Sequence, residues 1–302
     1  MVWLLFIVLS TLIFSICNVF DKFILEKRIN NFLIYFIIGG IAWLIFGLIV
    51  FAFLPPLHLS WPIIGLSILS GLLMGLNWLI FYKALTKEDV SRVITIFYIF
   101  PIFVAIWAWL LLHESISPIK WLAIFFAISG TIIISLKKES IKAPIRICGA
   151  FLLILLGAAI FEPGVEIIDK YVLSQISPWP LLALNAIGFS IMAISFLVFS
   201  ASARQQTWQF FKTNRPTLKI IIFAHLIYFF GNLLFLLAVP FTKITYVATV
   251  SVIQPVFVFI LTLILSMFRP KILKESLSIK TILIKTFAIV LIVASILIIT
   301  LA

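Results

Sequence analysis

Glu162 and Glu166 stand four residues apart in an otherwise apolar run, and Asp169 follows three positions later. On a helix that spacing puts the three carboxylates on one stripe. An ionisable group at membrane depth is costly, so its retention marks a candidate for function. The chemistry open to Glu162 and Glu166 is that of a proton carrier. Pro163 and Gly164 are expected to loosen the helix between them. A competing reading has Glu166 and Asp169 reaching the membrane surface, with Glu162 alone buried and paired to a neighbour.

His225, Tyr228 and Asn232 form a second polar stripe, at i, i+3 and i+7. A histidine here is a candidate proton relay or a contact for an anionic group. A hydrogen-bonded core histidine fits equally. Asn18, Asn77, Tyr98, Asn185 and Gln254 are further polar residues inside apolar runs. Each is a candidate for lining a pathway or for tying helices together. No HExxH, GxSxG, Walker or GxGxxG pattern occurs, so the expectation is a protein that is not an enzyme. With three His and two Cys, neither a metal site, a disulfide framework nor a cofactor is expected.

The elements that must position these residues are set by composition. Of 302 residues, 64% are hydrophobic and 11% charged, against about 25% charged in soluble domains. The solvent for such a chain is lipid. Ten stretches reach the roughly 20 apolar residues of a membrane span: about 2–20, 31–53, 62–83, 91–112, 119–136, 147–168, 179–200, 218–239, 245–267 and 281–301. Their length exceeds that of a barrel strand and they lack its alternation, so they read as helices. The fold class expected is an all-α membrane protein with ten transmembrane helices.

Met1-Val2-Trp3-Leu4 has no basic n-region before the first run, which reads as a retained span. Ser60, Ser117 and Ser177 stand before Trp61-Pro62, Pro118 and Pro178 as candidate N-caps. Trp61, Trp121, Trp179 and Trp208 fall where interfacial aromatics are expected. Lys285, just inside the last run, is expected to snorkel to the headgroups. Ser67, Gly71 and Gly75 form a small-residue stripe suited to close helix packing.

The second half repeats the first. Asp21-Lys22 and Gly40 return 148 positions on as Asp169-Lys170 and Gly188. Ala84 and Pro101 return 154 on as Ala238 and Pro255, and Glu114-Ser115 returns 161 on as Glu275-Ser276. Pro101 and Pro255 each remove a helical hydrogen bond and crowd the carbonyl four residues earlier, at Phe97 and Ser251. They are paired hinge candidates or static kinks, and Pro163 and Gly164 are further hinge candidates.

Five spans per half is odd, so the two repeats are expected to be inverted in the membrane. Nineteen of the 22 Lys and Arg residues lie in alternate gaps between runs or at their edges. The linker residues Lys137, Lys138, Lys142 and Arg146 are among them. The other three are Lys120, Lys170 and Lys243. In a soluble protein a net charge of +12 would point to nucleic acid. In this setting the positive-inside rule makes the rich gaps cytoplasmic and both termini external, and no nucleic-acid partner is expected.

Several stretches resemble a known repeat. These are Tyr82-Lys83-Ala84-Leu85, Val90-Ser91-Arg92-Val93, the central Pro101, Glu114-Ser115-Ile116-Ser117 and Gly130-Thr131-Ile132-Ile133. They are similar to the EamA repeat of the drug/metabolite transporter superfamily. Phe14-Ser15-Ile16-Cys17-Asn18 resembles the family's first-helix pattern of Trp-Gly followed by Asn, with Phe for Trp and Ser for Gly. The second copy departs further, with Glu162-Pro163 at the Trp-Gly place and no clear closing glycine in the last run.

The resemblance implies two inverted five-helix repeats, over 1–138 and 139–302, around a cavity lined by the first, third, fourth, sixth, eighth and ninth spans. It also implies transport of a metabolite such as an amino acid or a drug-like compound. Many members are described with cytoplasmic termini, opposite to the charge bias. The function expected is a secondary transporter using alternating access, with a small-molecule substrate, the lipid bilayer and possible protons as partners, in a prokaryotic cytoplasmic membrane. A lipid or lipid-linked sugar flippase and a non-transporting scaffold are the alternatives. Oligomeric state is not legible.

Overall fold

Backbone in lipid must satisfy its hydrogen bonds within its own segment, and the computed structural model is accordingly helical. It describes residues 2–29, 31–55, 59–86, 93, 97–135, 149–268 and 279–301. The helices are α1 (Val2–Lys27), α2 (Phe32–Ala52), α3 (Trp61–Leu85), α4 (Phe100–Leu111), α5 (Pro118–Ser135), α6 (Gly149–Leu156), α7 (Glu162–Leu173), α8 (Pro178–Phe199), α9 (Ala201–Thr213), α10 (Arg215–Ala238), α11 (Ile244–Ser251), α12 (Gln254–Phe268) and α13 (Ile279–Leu301). A π-helical turn, Gly157–Phe161, joins α6 to α7, and a 3-10 turn, Val239–Phe241, follows α10. Among the described residues, 7 helical segments are long and apolar enough to cross a membrane. Phe100–Leu111 and Pro118–Ile133 are apolar but shorter. His58, Cys148, the linker lysines and Arg146, and Glu275–Ser278 lie outside the described residues.

Lipid supplies no hydrophobic force between helices, so they associate by close packing and interhelical hydrogen bonds. The small residues are placed for this. A Cβ on Gly71 would lie 2.1 Å from the Asn185 carbonyl oxygen, and one on Gly188 would lie 2.1 Å from that of Ile68. These two glycines form the α3–α8 crossing. Gly40 takes Ala193 of α8 in the same way, and Ser190 Oγ donates to the Gly40 carbonyl at 2.8 Å. Ser10 Oγ donates to the Gly231 carbonyl, joining α1 to α10, and Gly130 of α5 meets Ala288 and Ile292 of α13. Further pairings are α3 with α7, α1 with α12, α4 with α7 and α4 with α11.

Loop contacts gather one end of the bundle. Glu114, after α4, accepts from Ile244 N and Thr245 Oγ1 at 3.0 Å each, occupying the positive N-terminus of α11. Lys243 donates to the Ser115 carbonyl. Lys170 Nζ donates to the Val239 and Thr242 carbonyls at 2.9 and 2.6 Å. Asn31 and Gln206 make a separate link, at 2.9 Å, between the α2 N-cap and α9.

Four features depart from the sequence reading. Residues 201–213, in the gap between the seventh and eighth apolar runs, are a helix, α9, with Ala203, Thr207 and Phe210 buried on one face and Trp208 and Lys212 exposed on the other. Ser200 caps it by accepting from Ala203 N. Residues with few apolar positions still fold as a helix there because only a narrow stripe has to be buried. Ser60 and Ser177 stand at N-cap positions, but neither side chain makes a capping hydrogen bond. Lys285 is buried with Nζ 4.0 Å from the centre of the Phe259 ring, so it packs by cation–π contact within the bundle. Finally, the proline-bearing runs are each split in two. The chain leaves the helix at Tyr98-Ile99 and at Val252-Ile253, then restarts at Phe100 and Gln254. Pro101 and Pro255 thus occupy the first turn of a new helix, where the missing N–H costs nothing.

Candidate functional site

A cavity opens between the broken helices. Phe14 and Asn18 of α1, Met74, Asn77, Trp78 and Phe81 of α3, and Phe97-Tyr98 at the first break line one part. Glu162, Val165, Glu166 and Asp169 of α7, Tyr228, Asn232 and Phe235 of α10, Gln254 at the second break and Trp43 of α2 line the rest. Of the polar candidates read from sequence, Glu162, Glu166, Asn18, Asn77, Tyr98, Tyr228, Asn232 and Gln254 all meet here. Asn185 lies behind the wall, holding Asp169.

The α7 stripe is positioned by an irregularity one turn earlier than expected. Glu162 N donates to the Gly157 carbonyl, five residues back, so the helix widens over Gly157–Phe161 and is regular from Glu162 onwards. The widened turn accommodates Pro163, and π-turns of this kind recur at functional sites. Gly164 is buried against Leu73. Pro163 and Gly164 therefore leave the segment between the two glutamates helical.

The three carboxylates have different surroundings. Asp169 is held firmly: Ser70 Oγ donates to it at 2.6 Å and Asn185 Nδ2 lies 3.2 Å from each of its oxygens. Glu162 accepts from Asn77 Nδ2 at 2.6 Å. Gly157 makes room for that amide, since a Cβ there would lie 2.6 Å from Asn77 Oδ1. Glu166 is 2% exposed, and its Oε2 has no hydrogen-bond partner. The reading that left Glu162 alone buried is overturned: Glu166 and Asp169 are buried and Glu162 is half-buried. Close packing of α7 against α3 is the cause.

His225 is not brought to the cavity. Its ring lies against α2, 5.2 Å from the Tyr35 ring centre, in space that Gly39 leaves free. Both ring nitrogens are buried without a hydrogen-bond partner. Tyr228 and Asn232 from the same stripe do reach the cavity. The Tyr228 hydroxyl sits 2.7 Å from Asp21 Oδ2 and 2.9 Å from Asn18 Oδ1.

Asp21, which stands out in the sequence only as a repeat marker, lies behind the wall and holds the lining residue Tyr228. It is fully buried and accepts from Tyr35 of α2 and Tyr228 of α10. Asp169 is held in the corresponding way, by Asn185 of α8 and Ser70 of α3. The 148-residue echo of Asp21 in Asp169 was the signal available. The aromatic lining had none, because 31 Phe and 9 Trp are spread along the chain. Trp78 packs edge-on to Tyr228 with centres 4.4 Å apart, and Phe81 meets Phe97 at 5.6 Å. Among the described residues no three His, Cys, Asp or Glu side chains group as metal ligands would.

Comparison with known proteins adds to this geometry. Residues 1–136 match the EamA-like transporter family. A 67-residue segment is 33% identical to an uncharacterized transporter in the cobO 3' region of Sinorhizobium sp. That match takes in 22% of this chain and 48% of the relative, so the chain spans about half the relative's length. A solved structure described simply as a crystal structure of a protein aligns with a TM-score of 0.65 at 14% identity. It covers 99% of this chain and 96% of that one, which is a likeness of fold. Residues 1–136 are thus similar to the EamA-like transporter family, and the apolar helices indicate an integral multi-pass membrane protein.

Proposed function

We propose that the protein is a secondary transporter, moving a small organic metabolite through the central cavity by alternating access. The observation that carries this reading is the pair of broken helices. Tyr98 and Gln254, one at each break, line a cavity that also holds two glutamates. In transporters, irregular backbone at membrane depth occurs where it lines a binding site between repeats. The ten-span arrangement, with inverted halves at 1–138 and 139–302, belongs to the same proposal. Its support is that partnerships come in matched pairs: α1 with α10 as α7 with α3, and α1 with α12 as α7 with α4. Pro101 and Pro255 then serve as hinges, opening the cavity to each side in turn.

Glu162 is the proton-linked group in this proposal, with Glu166 beside it. The membrane is a prokaryotic cytoplasmic one, in line with the bacterial relative. The experiment is a substrate screen in proteoliposomes, with and without a pH gradient. A gradient should accelerate uptake by the native protein, and Glu162→Gln should lose that acceleration while keeping exchange at equal pH. Uptake indifferent both to the gradient and to Glu162→Gln would remove the coupling. No translocation of any compound would remove the transporter reading.

A further inference from the structure

Helix α9 has one side that neither the bundle nor the cavity uses. The helix joins α8 to α10 through a single non-helical residue at each end, Ser200 and Asn214. With 13 residues it is about 20 Å long, too short to cross a bilayer. Ala203, Thr207 and Phe210 hold it down on the bundle, where it meets α2, α8 and α10. Ser202, Gln206, Gln209 and Thr213 form an exposed side without charge, and Gln206 bonds to Asn31. Arg204, Trp208 and Lys212 form the third side, at i, i+4 and i+8, and all three are exposed. Lys212 Nζ lies 5.0 Å from the centre of the Trp208 ring, which is itself 64% exposed. Phe199, the last residue of α8, is 86% exposed directly before α9. Arg204 uses one donor on the Leu197 carbonyl, which leaves its guanidinium further N–H groups. Arg215 and Lys219, exposed in the first turns of α10, add to the positive charge. The sequence has no Asp or Glu between Asp169 and Glu275. Among the described residues, no carboxylate is paired with any of these four cations.

From the exposed rings and the unbalanced cations together we propose that α9 lies in the headgroup layer and that its Arg204–Trp208–Lys212 side binds an anionic phospholipid. The phosphate sits between Arg204 and Lys212, and the acyl chains descend past Trp208 and Phe199 along α8. Indole rings favour the boundary between headgroup and hydrocarbon. Basic residues beside a span draw anionic lipid, each worth on the order of a fivefold gain in binding. A soluble anion would answer the cations but leave Trp208 and Phe199 in water. A zwitterionic lipid would cover the rings but bring no net counter-charge. The site is separate from the cavity and does not depend on what the cavity carries.

The test is native mass spectrometry of the purified full-length chain in neutral detergent with three probes. These are dioleoylphosphatidylglycerol, dioleoylphosphatidylcholine and inorganic phosphate. Phosphatidylglycerol should bind on the order of tenfold tighter than phosphatidylcholine, and phosphate should neither bind nor displace it at equal concentration. Joint replacement by Arg204→Gln and Lys212→Gln should reduce the preference on the order of tenfold, whereas Lys120→Gln should leave it unchanged. Equal binding of the two lipids, displacement by phosphate, or a preference that the double variant retains would each overturn the proposal. A second measurement places the lipid at α9 without removing any charge. The full chain and its Trp208→Phe variant are reconstituted in bilayers holding a small fraction of phosphatidylglycerol or phosphatidylcholine brominated on the acyl chains. The difference between the two proteins isolates Trp208 emission, which brominated phosphatidylglycerol should quench more strongly than brominated phosphatidylcholine at the same fraction. Equal quenching by the two would overturn selectivity. No quenching by either would put Trp208 in water, as a soluble anionic partner requires, and would overturn the lipid site.

Discussion

At the scale of single residues, the hydrogen bonds on α7 rank carboxylates that the sequence leaves equivalent. Asp169 accepts from Ser70 and Asn185, whereas Glu166 Oε2 has no partner. Asp169→Asn would place an amide nitrogen against groups that are themselves donors. It is expected to cost about 1–3 kcal/mol, the range for a buried polar group left without its partner. Glu166→Gln alters a buried side chain whose Oε2 has no partner to lose, and is expected to leave stability nearly unchanged. Thermal melting of the two purified variants checks the pair. A larger loss in Glu166→Gln than in Asp169→Asn would show that the ranking is wrong. The stripe at 162, 166 and 169 was legible from spacing alone. Its division into held and unheld members was not, because the deciding partners come from α3 and α8. His225 shows the same limit: its i+3 and i+7 neighbours reach the cavity, while its own ring turns into the gap left by Gly39.

Elements meet where side chains are smallest. Gly71 and Gly188 each lack room for a Cβ because the nearest atom is a backbone carbonyl on the facing helix. A carbonyl cannot swing aside as a side chain can, so Gly188→Ala must push α8 from α3. The expected loss is about 1–3 kcal/mol or more, read as a lower melting midpoint. Gly65 lies on the same helix as Gly71 and a Cβ there would meet nothing within 4 Å. Gly65→Ala should therefore gain up to about 1 kcal/mol from helix propensity. Destabilisation by Gly65→Ala equal to that by Gly188→Ala would rule out the crossing as the cause. The small-residue stripe on α3 was visible in the sequence, as were the prolines at 101 and 255. That each proline opens a new helix follows from local chemistry, since its ring crowds the carbonyl four residues back. The π-turn at Gly157–Phe161 was not visible, because several geometries can absorb Pro163 and packing against α3 selects one.

For the molecule as a whole, the charge bias predicts that the Ser115 and Lys243 loops lie outside and the α9 segment in the cytoplasm. The contacts agree with that grouping, since Ser115 meets Lys243 while Gln206 of α9 meets Asn31. In intact cells, a membrane-impermeant maleimide should label Ser115→Cys and spare Gln206→Cys. The opposite pattern would reverse the orientation, and labelling of both would contradict the grouping itself.

The sequence by itself determined that this chain lives in lipid as helices, and that Asp21, Gly40, Ala84 and Pro101 have counterparts in its second half. Those features follow from residue type alone: the cost of placing a group in hydrocarbon, and the backbone chemistry of proline. Only the tertiary structure decided which polar groups share a cavity, that Asp21 and Asp169 are tied down, and that Glu166 keeps an oxygen without a partner. Those outcomes depend on the rotation of each helix about its axis. That rotation is set by contacts such as Gly71 with Asn185 and Gly188 with Ile68, between residues more than 100 positions apart.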